Sequence, residues 1–590
     1  MKRSWGQGAW PGHGCAVNTS CVAVRWADGV GAGWDRRRVA CGSWAVVALA
    51  VVGVLAAGAF GQAPFTEEAQ ARGISFVTAQ ALGDGAGVAF ADLDGDGDAD
   101  VVLVGNADGV VGVYENDGAG YFVDHSGSSG IGPAVDTMGV VAGDYDRDGD
   151  LDLYISRRLQ PNLLLRNEGG FVFTDVSAAA GVADAGWSSG CAWGDFDNDG
   201  WLDLYVANMG SVTNPDDPDR LFHNLGDGTF DEVSVSVGVD LGDELTYQAV
   251  FFDYDHDGDA DVYLANDKGL DCAYGRQNHL FENVGGLFVD VTKPSGTEAC
   301  VNAMCIAVGD FDGNTHQDLY VTNTPEGNAL MLNQGGGVFE RFEHQAGVSS
   351  YAVGWGSVFL DYDNDGHLDL YVCNMNAPNR LYRHDGTFPC ADMSSVLGVD
   401  VGGLSYAVAT ADIDADGDLD LLVQNHDEPM RLFINHEDGE RRWIKFDVVG
   451  EGPARFAVGA IVDVRTGDVW RTREVIAGSN YKSQNDIVQH FGLGDAAIVD
   501  AVEVMWPGGA TRTLSQLPAD HTWRVYPVDK LGDADHDGDR DAGDFAVLAG
   551  CMAGVAVGSL EPGCEVMDFD GGCQVDLVDF AAFQNGFTGE

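Results

Sequence analysis

The nine residues Asp195-Phe-Asp-Asn-Asp-Gly-Trp-Leu-Asp203 place acids at positions 1, 3, 5 and 9 of a loop and a glycine, Gly200, at position 6. Cys191-Ala-Trp-Gly194 precedes the loop and Leu204-Tyr-Val-Ala-Asn208 follows it; both read as short buried strands. Alternate carboxylates on a tight loop converge on one point. Such a point suits a hard cation with oxygen ligands, Ca²⁺ above all. The glycine permits the sharp turn that brings the position-7 carbonyl toward the ion.

The loop recurs, starting at Asp92, Asp144, Asp195, Asp253, Asp310, Asp361 and Asp412, in steps of 52, 51, 58, 57, 51 and 51 residues. Its candidate ligands are Asp92, Asp94, Asp96 and Asp100 in the first copy, and Asp144, Asp146, Asp148 and Asp152 in the second. The third copy has Asp195, Asp197, Asp199 and Asp203, and the fourth Asp253, Asp255, Asp257 and Asp261. The fifth is weaker, with Asp310, Asp312, Asn314 and Asp318, and Thr315 where the others have glycine. The sixth has Asp361, Asp363, Asp365 and Asp369, and the seventh Asp412, Asp414, Asp416 and Asp420. His256 lies within one loop, and His316 and His367 occupy position 7 of two others, where the backbone carbonyl is the ligand and the ring is expected to point outward.

Each unit continues with an apolar strand such as Leu151-Asp-Leu-Tyr-Ile155 and a second of the type Arg220-Leu-Phe-His-Asn224. A Gly-rich turn follows, then a strand that opens on an aromatic (Phe230, Phe288, Phe339) and runs toward Gly-Val, as in Gly181-Val182. Four strands in a repeat of this length are the pattern of propeller blades, and seven repeats predict seven blades. The seventh unit lacks a clear fourth strand. Gly73-Ile-Ser-Phe-Val77, ahead of the first loop, is expected to supply it and close the ring.

The string Gly-Asp-Phe-Asp-x-Asp-Gly-x-x-Asp-Leu-Tyr-Val resembles the FG-GAP/VCBS repeats of integrin α-subunits and many secreted bacterial proteins. The resemblance implies Ca²⁺ on the loops between adjacent strands of each blade, and an extracellular binding or adhesive role.

Lys and Arg total 31 against 93 Asp and Glu, a formal net charge of −62. The seven loops use only 27 of those acids, so a strongly negative surface remains, whether for recognition or for solubility in salty surroundings. It argues against nucleic acid and anionic membranes as partners. An apolar, uncharged run from Trp44 to Phe60 follows Arg36-Arg-Arg38 and reads as an export signal; a retained anchor is the alternative. With cleavage, no membrane span remains. Nine cysteines follow the signal, so an odd thiol is expected; local pairs considered are Cys272 with Cys300 or Cys305, Cys373 with Cys390, and Cys551 with Cys564. Trp187, Trp193, Trp355 and Tyr351 read as blade packing.

The period breaks near residue 440. Trp443-Ile-Lys-Phe-Asp-Val-Val449, Gly478-Ser-Asn-Tyr-Lys-Ser-Gln-Asn485 and Val499-Asp-Ala-Val-Glu-Val-Met-Trp-Pro-Gly508 resemble the ASPIC/UnbV domain that follows such propellers. Ser483, Gln484, Asn485 and His490 either line a polar site or satisfy backbone groups in long loops. Near the C-terminus Asp533, Asp535, Asp537, Asp541 and Asp544 stand at positions 1, 3, 5, 9 and 12, an EF-hand spacing. A second, poorer copy uses Asp568, Asp570, Asp576 and Asp579. Together they resemble a type I dockerin, which implies a cohesin-like partner; a Ca²⁺-stapled cap is the alternative.

The expected organisation is therefore all-β: an extension and signal over 1–63, a seven-bladed propeller over 64–436, a small β-rich ASPIC/UnbV domain over 437–528, and a small helical EF-hand pair over 529–590. No Gly-x-Ser-x-Gly, His-Glu-x-x-His or phosphate loop is present. The expected function is non-catalytic binding of an extracellular protein or polysaccharide, with Ca²⁺ as cofactor. The alternative is a part in polysaccharide degradation, recruited through the tail.

Overall fold

A computed structural model describes residues 64–79, 85–210, 217–242, 245–267, 277–299, 301–323, 327–437, 441–450, 454–528, 531–532, 542–553, 564–569, 575 and 577–586. Residues 1–63, Cys272, Cys300, Cys573 and the acids Asp533, Asp535, Asp537, Asp541, Asp570 and Asp576 lie outside them.

The repeats fold as seven four-stranded antiparallel sheets. The third is typical, with strands Ser188–Gly194, Asp203–Asn208, Arg220–Asn224 and Phe230–Glu232 in that order. The first strands of the seven sheets are Val88–Ala91, Thr137–Gly143, Ser188–Gly194, Thr246–Phe252, Ala303–Gly309, Val353–Leu360 and Ser405–Ala411. They lie side by side in chain order, and the seventh packs against the first, so the sheets close into a ring. Apolar cores fill the gaps between neighbouring sheets: Phe196, Tyr205 and Leu221 of the third meet Phe251, Phe281 and Phe288 of the fourth.

The repeated letters have local structural reasons. The tyrosine of Asp-Leu-Tyr-Val is fully buried and donates to the valine carbonyl of the Gly-Val that ends its own unit: Tyr154 to Val182 at 3.0 Å, Tyr320 to Val348 at 2.9 Å, Tyr371 to Val399 at 3.2 Å. The glycine of Gly-Val is not in a strand. It caps a one-turn helix, Ser177–Ala180 in the second unit, with Gly181 left-handed at φ 86°.

Ring closure differs from the expectation. The fourth strand of the seventh sheet is Phe65–Glu67, with Phe65 opposite Asn435 and Glu67 opposite Phe433. Gly73-Ile74 is that unit's Gly-Val equivalent, and Ile74 and Phe76 are buried in the core between the seventh and first sheets. Phe65-Thr-Glu67 matches Phe173-Thr-Asp175 and Phe288-Val-Asp290, so the signal was an aromatic followed two residues later by an acid.

Beyond the ring, Arg442–Val448 lies between Gln489–Gly494 and Thr522–Val525 in a three-stranded sheet. A four-stranded sheet carries Val469–Glu474, Ile461–Thr466, Ile498–Met505 and Thr511–Pro518. Their core holds Ile444, Phe446, Phe491, Val502 and Trp506, whose Nε1 donates to the Val449 carbonyl. Two helices follow, Ala542–Ala553, which carries Asp544, and Leu577–Gly586. Cys551 and Cys564 form a disulfide. The other cysteine expectations that can be read fail: Cys373, Cys390 and Cys305 are free thiols, because Cys305 and Cys373 point into the ring core instead of toward a loop partner. Trp193 and Trp355 pack as expected, whereas Tyr351 is 63 % exposed. No helix of the described residues is long and apolar enough to cross a membrane.

Candidate metal centres and the filled channel

Each acidic loop joins the first and second strands of its sheet. In the third, Asp195 accepts the Gly200 N–H at 2.8 Å and the Asp199 N–H at 3.1 Å, folding the loop back over its own start. Carboxylate oxygens of Asp195, Asp197 and Asp203 come within 4.8 Å of one another, as do those of Asp92, Asp94 and Asp96, of Asp144, Asp146 and Asp152, and of Asp253, Asp255 and Asp261.

The position-9 acid is buried in every loop and clamps two further pieces of chain. Asp203 accepts the Phe196 N–H at 3.1 Å and the Asn224 N–H at 2.8 Å. Asp100, Asp152, Asp261, Asp318, Asp369 and Asp420 do the same in their sheets. The asparagine that ends the third strand then reaches across to the neighbouring sheet. Asn224 Nδ2 donates to the Tyr145 carbonyl of the preceding loop at 2.8 Å, and Asn116, Asn167, Asn283, Asn333 and Asn435 make the equivalent bond. The sixth sheet has His384 there, stacked on Phe388 at 4.5 Å. Sequence reading passed over this asparagine, although it recurs in register.

Burial pushes these carboxyls up, Asp100 to about 8 and Asp152 to about 9, in spite of the backbone N–H groups that favour the ionised form. At position 1, Asp92 and Asp144 rise to about 6 and Asp195 to about 7, burial again leading. Buried oxygens of Asp144, Asp146, Asp255 and Asp312 have no hydrogen-bond partner. Converging oxygens with spare lone pairs fit a hard divalent cation, whose charge offsets the desolvation. His256 and His316 lie ring to ring at 5.1 Å, partly buried rather than fully outward, whereas His223 lies within 4.8 Å of Asp197 and Asp199 of the third loop.

Position 6 is left-handed throughout. Six loops have glycine there with φ between 86° and 97°, and the fifth has Thr315 at φ 71°. A β-branched residue is strained in that region. Thr315→Gly is expected to stabilise the protein by about 0.5–1 kcal/mol after the entropy of the added glycine is offset. A lower denaturation midpoint for this variant would contradict the strain.

The centre of the ring is occupied by the chain itself. Residues 477–486 run down the channel and bond to the first strands of the sheets. Gln484 exchanges backbone bonds with Val88 and Phe90 of the first sheet, at 3.0 and 3.1 Å. The Lys482 carbonyl accepts from Val140 of the second, and the Ala477 carbonyl from Trp193 of the third. Lys482 N–H meets Gln248 Oε1 of the fourth at 2.9 Å, Asn480 N–H the Ile306 carbonyl of the fifth at 2.8 Å, and Asn485 Oδ1 the Thr410 N–H of the seventh at 3.1 Å. Tyr481 stacks edge-on against Trp355 of the sixth, centroids 5.1 Å apart. Ser483 and Gln484 therefore satisfy the backbone of the ring, whereas Asn485 and His490 also line a polar cavity with Asp361, Asp412, Arg473 and Glu474. His490 Nε2 lies 2.9 Å from the Gly417 carbonyl, and burial pushes its pKa down to about 3.

Cations from this second domain lie over the loops. Lys445 Nζ stands 2.6 Å from Asp412, and Arg455 is 3.0 Å from Asp447 and 3.8 Å from Asp92.

Comparison with known proteins agrees with this division. The FG-GAP-like repeat family matches residues 92–155, 156–206, 253–321, 310–372 and 361–423, and the ASPIC and UnbV family matches residues 450–531. The chain carries FG-GAP-like repeats and an ASPIC/UnbV domain. Four of the five repeat matches start on the first aspartate of a loop. Cartilage acidic protein 1 of Mus musculus is 26% identical over 481 residues, covering 66% of this chain and 74% of that protein. The Homo sapiens protein of the same name is 26% identical over 459 residues, covering 63% and 69%. Among solved structures, BBS1N in complex with ARL6DN superposes with a TM-score of 0.40 at 11% identity, over 64% of this chain and 98% of that one. The segment that fills the channel lies within the ASPIC/UnbV match.

Proposed function

We propose that this chain is a secreted, calcium-stabilised, seven-bladed propeller that binds a protein or polysaccharide outside the cell and catalyses nothing. The observation that carries this reading is the set of seven in-register acidic loops on a closed ring whose channel is filled by the protein's own chain. A filled channel leaves recognition to the exposed rims. The free thiols of Cys191 and Cys305 are buried and pushed up to about 12, so they are poor nucleophiles. The likeness to cartilage acidic protein 1 and the apolar run behind Arg36-Arg-Arg38 support an extracellular setting. A net charge of −62 favours neutral or basic partners.

The tail is best read as a cap. Leu548, Met567 and Phe583 share one apolar cluster with Trp523 and Tyr526 of the ASPIC/UnbV domain, and Arg512 donates to the Asp568 carbonyl. Asp579 accepts the Phe569 N–H at 2.8 Å.

The test is an array of extracellular-matrix proteins and polysaccharides probed in calcium and again in chelator. Calcium-dependent retention without release of product is the expected result. Release of reducing ends from a bound polysaccharide would sink the non-catalytic reading.

A further inference from the structure

The seven loops are not electrically alike, and the difference sits at one register position. The residue just before the asparagine position of the third strand (His384 in the sixth sheet) is Glu115, Arg166, His223, Glu282, Leu332, Arg383 and Ile434 in the seven sheets. The strand pairing keeps these residues equivalent: Glu115 stands opposite Val123, Glu282 opposite Val289 and Arg383 opposite Ala391.

In the sixth sheet that residue enters the loop. Arg383 Nε is 2.6 Å from Asp363 Oδ2, and its Nη2 is 2.7 Å from Asp365 Oδ2, which are positions 3 and 5 of the loop. A second guanidinium comes from the chain that leaves the ring. Arg441 Nη1 is 2.8 Å from Asp363 Oδ1 and 2.7 Å from the Asp363 carbonyl. Two guanidinium groups thus stand in ion-pair contact with both oxygens of Asp363 and one of Asp365; Asp363 Oδ1 gains no aligned hydrogen bond, but two positive charges already occupy the space a metal would take.

The other arginine at this register does not do this. Arg166 turns to Glu168, at 2.7 Å, and is 40 % exposed. The sixth sheet has the shorter Asp385 in place of that glutamate, and Arg383 keeps only a 3.8 Å approach to it. Loop 2 consequently stays open. Asp144, only 4 % exposed, has its Oδ1 without a partner in the cluster it forms with Asp146 and Asp152. Lys445 and Arg72 approach the seventh loop, but each meets only one oxygen of its acid, Oδ2 of Asp412 and Oδ2 of Asp414, whereas both oxygens of Asp363 are met. At the third loop His223 Nε2 lies 3.2 Å from Asp197 and 3.6 Å from Asp199.

We infer that Arg383 and Arg441 are the resident cations of the sixth loop, which takes no calcium, and that the residue just before the asparagine position of the third strand decides loop by loop whether a divalent cation is admitted. Glutamate at that place, Glu115 in the first sheet (itself 2.6 Å from His125) and Glu282 in the fourth, adds negative charge beside Asp94 and Asp255 instead of a cation. This inference rests on the calcium reading above.

The test is a calorimetric calcium titration of the full chain after exhaustive chelation, with melting in excess calcium to show that each variant is folded. R383E/R441L, which installs the glutamate of the first and fourth sheets, is expected to bind one more calcium per chain than the parent. E282R is expected to bind one fewer. Unchanged stoichiometry in folded R383E/R441L overturns the inference while leaving the calcium reading intact. If that variant does not fold, unchanged stoichiometry in E282R overturns it in the same way. A parent chain that binds no calcium defeats the calcium reading itself, and this inference with it.

Discussion

Exhaustive chelation is expected to lower the melting temperature of this protein by about 10–15 °C at neutral pH. A site held at a free-ion concentration 100-fold above its dissociation constant adds about 2.7 kcal/mol to stability, and five such sites add roughly 13 kcal/mol. For a folded unit of this size the unfolding entropy is on the order of 1 kcal/mol per kelvin, which converts that sum into the stated shift. Without the ion, the converging carboxylates of Asp144, Asp146 and Asp152, and of the equivalent groups, repel or must take up protons.

That proton uptake fixes the sign of a second readout. In the chelated protein Asp92 sits at about 6, Asp195 at about 7, Asp100 at about 8 and Asp152 at about 9, all above the ordinary carboxylate value. Between about pH 4 and pH 9 the folded state therefore binds protons that the unfolded state does not. The stability these groups contribute is complete below about pH 4 and is lost as the pH rises through 6 to 9. The chelated protein should melt higher at pH 5 than at pH 8. The calcium-loaded protein should show the reverse, because acid displaces the ion. An unchanged melt in chelator, at either pH, would remove calcium from the account.

Gly478→Val is expected to uncouple the ring from the ASPIC/UnbV domain. Gly478 has φ 100°, a conformation a β-branched residue resists. An added Cβ would lie 2.5 Å from the Cys191 carbonyl oxygen and 2.8 Å from the Ala192 Cα, both on the first strand of the third sheet. Relief requires moving backbone, and the movable part is the channel segment, whose bonds to Val88, Val140, Trp193 and Ile306 would be lost together. Buried backbone groups left unpaired cost about 1–3 kcal/mol each, so a loss above about 3 kcal/mol is expected. Calorimetry should show the parent unfolding in one transition and the variant in two. A single, unshifted transition in Gly478→Val would show that the channel segment does not hold the halves together.

The repeat was legible because its causes are local. Acids at positions 1, 3, 5 and 9, the Asp-Leu-Tyr-Val strand and the Gly-Val cap each act within a few residues of themselves, and their period announced the seven four-stranded sheets. The strand that closes the ring was also marked, by Phe65-Thr-Glu67, but the apolar alternation of Ile74 and Phe76 drew attention away from it. That alternation belongs to side chains buried between sheets, and burial by itself does not distinguish a strand from a core-filling loop.

The cysteines show the same limit. Cys551 and Cys564, 13 residues apart, are bonded, whereas Cys373 and Cys390, somewhat farther apart in sequence, remain free because Cys373 is buried in a sheet core.

By itself the sequence determined the all-β class, the seven acidic loops with the acids that converge in them, and the break near residue 440. Only the tertiary structure decided what fills the channel and which loops meet a protein cation. Asn480 reaches Ile306, and Gln484 reaches Val88, by backbone groups that every residue possesses, so no letter marks them. Arg441 meets Asp363 from 78 residues away and Lys445 meets Asp412 from 33 residues away. Charge acts through space, and the distances through space exist only once the ring has closed.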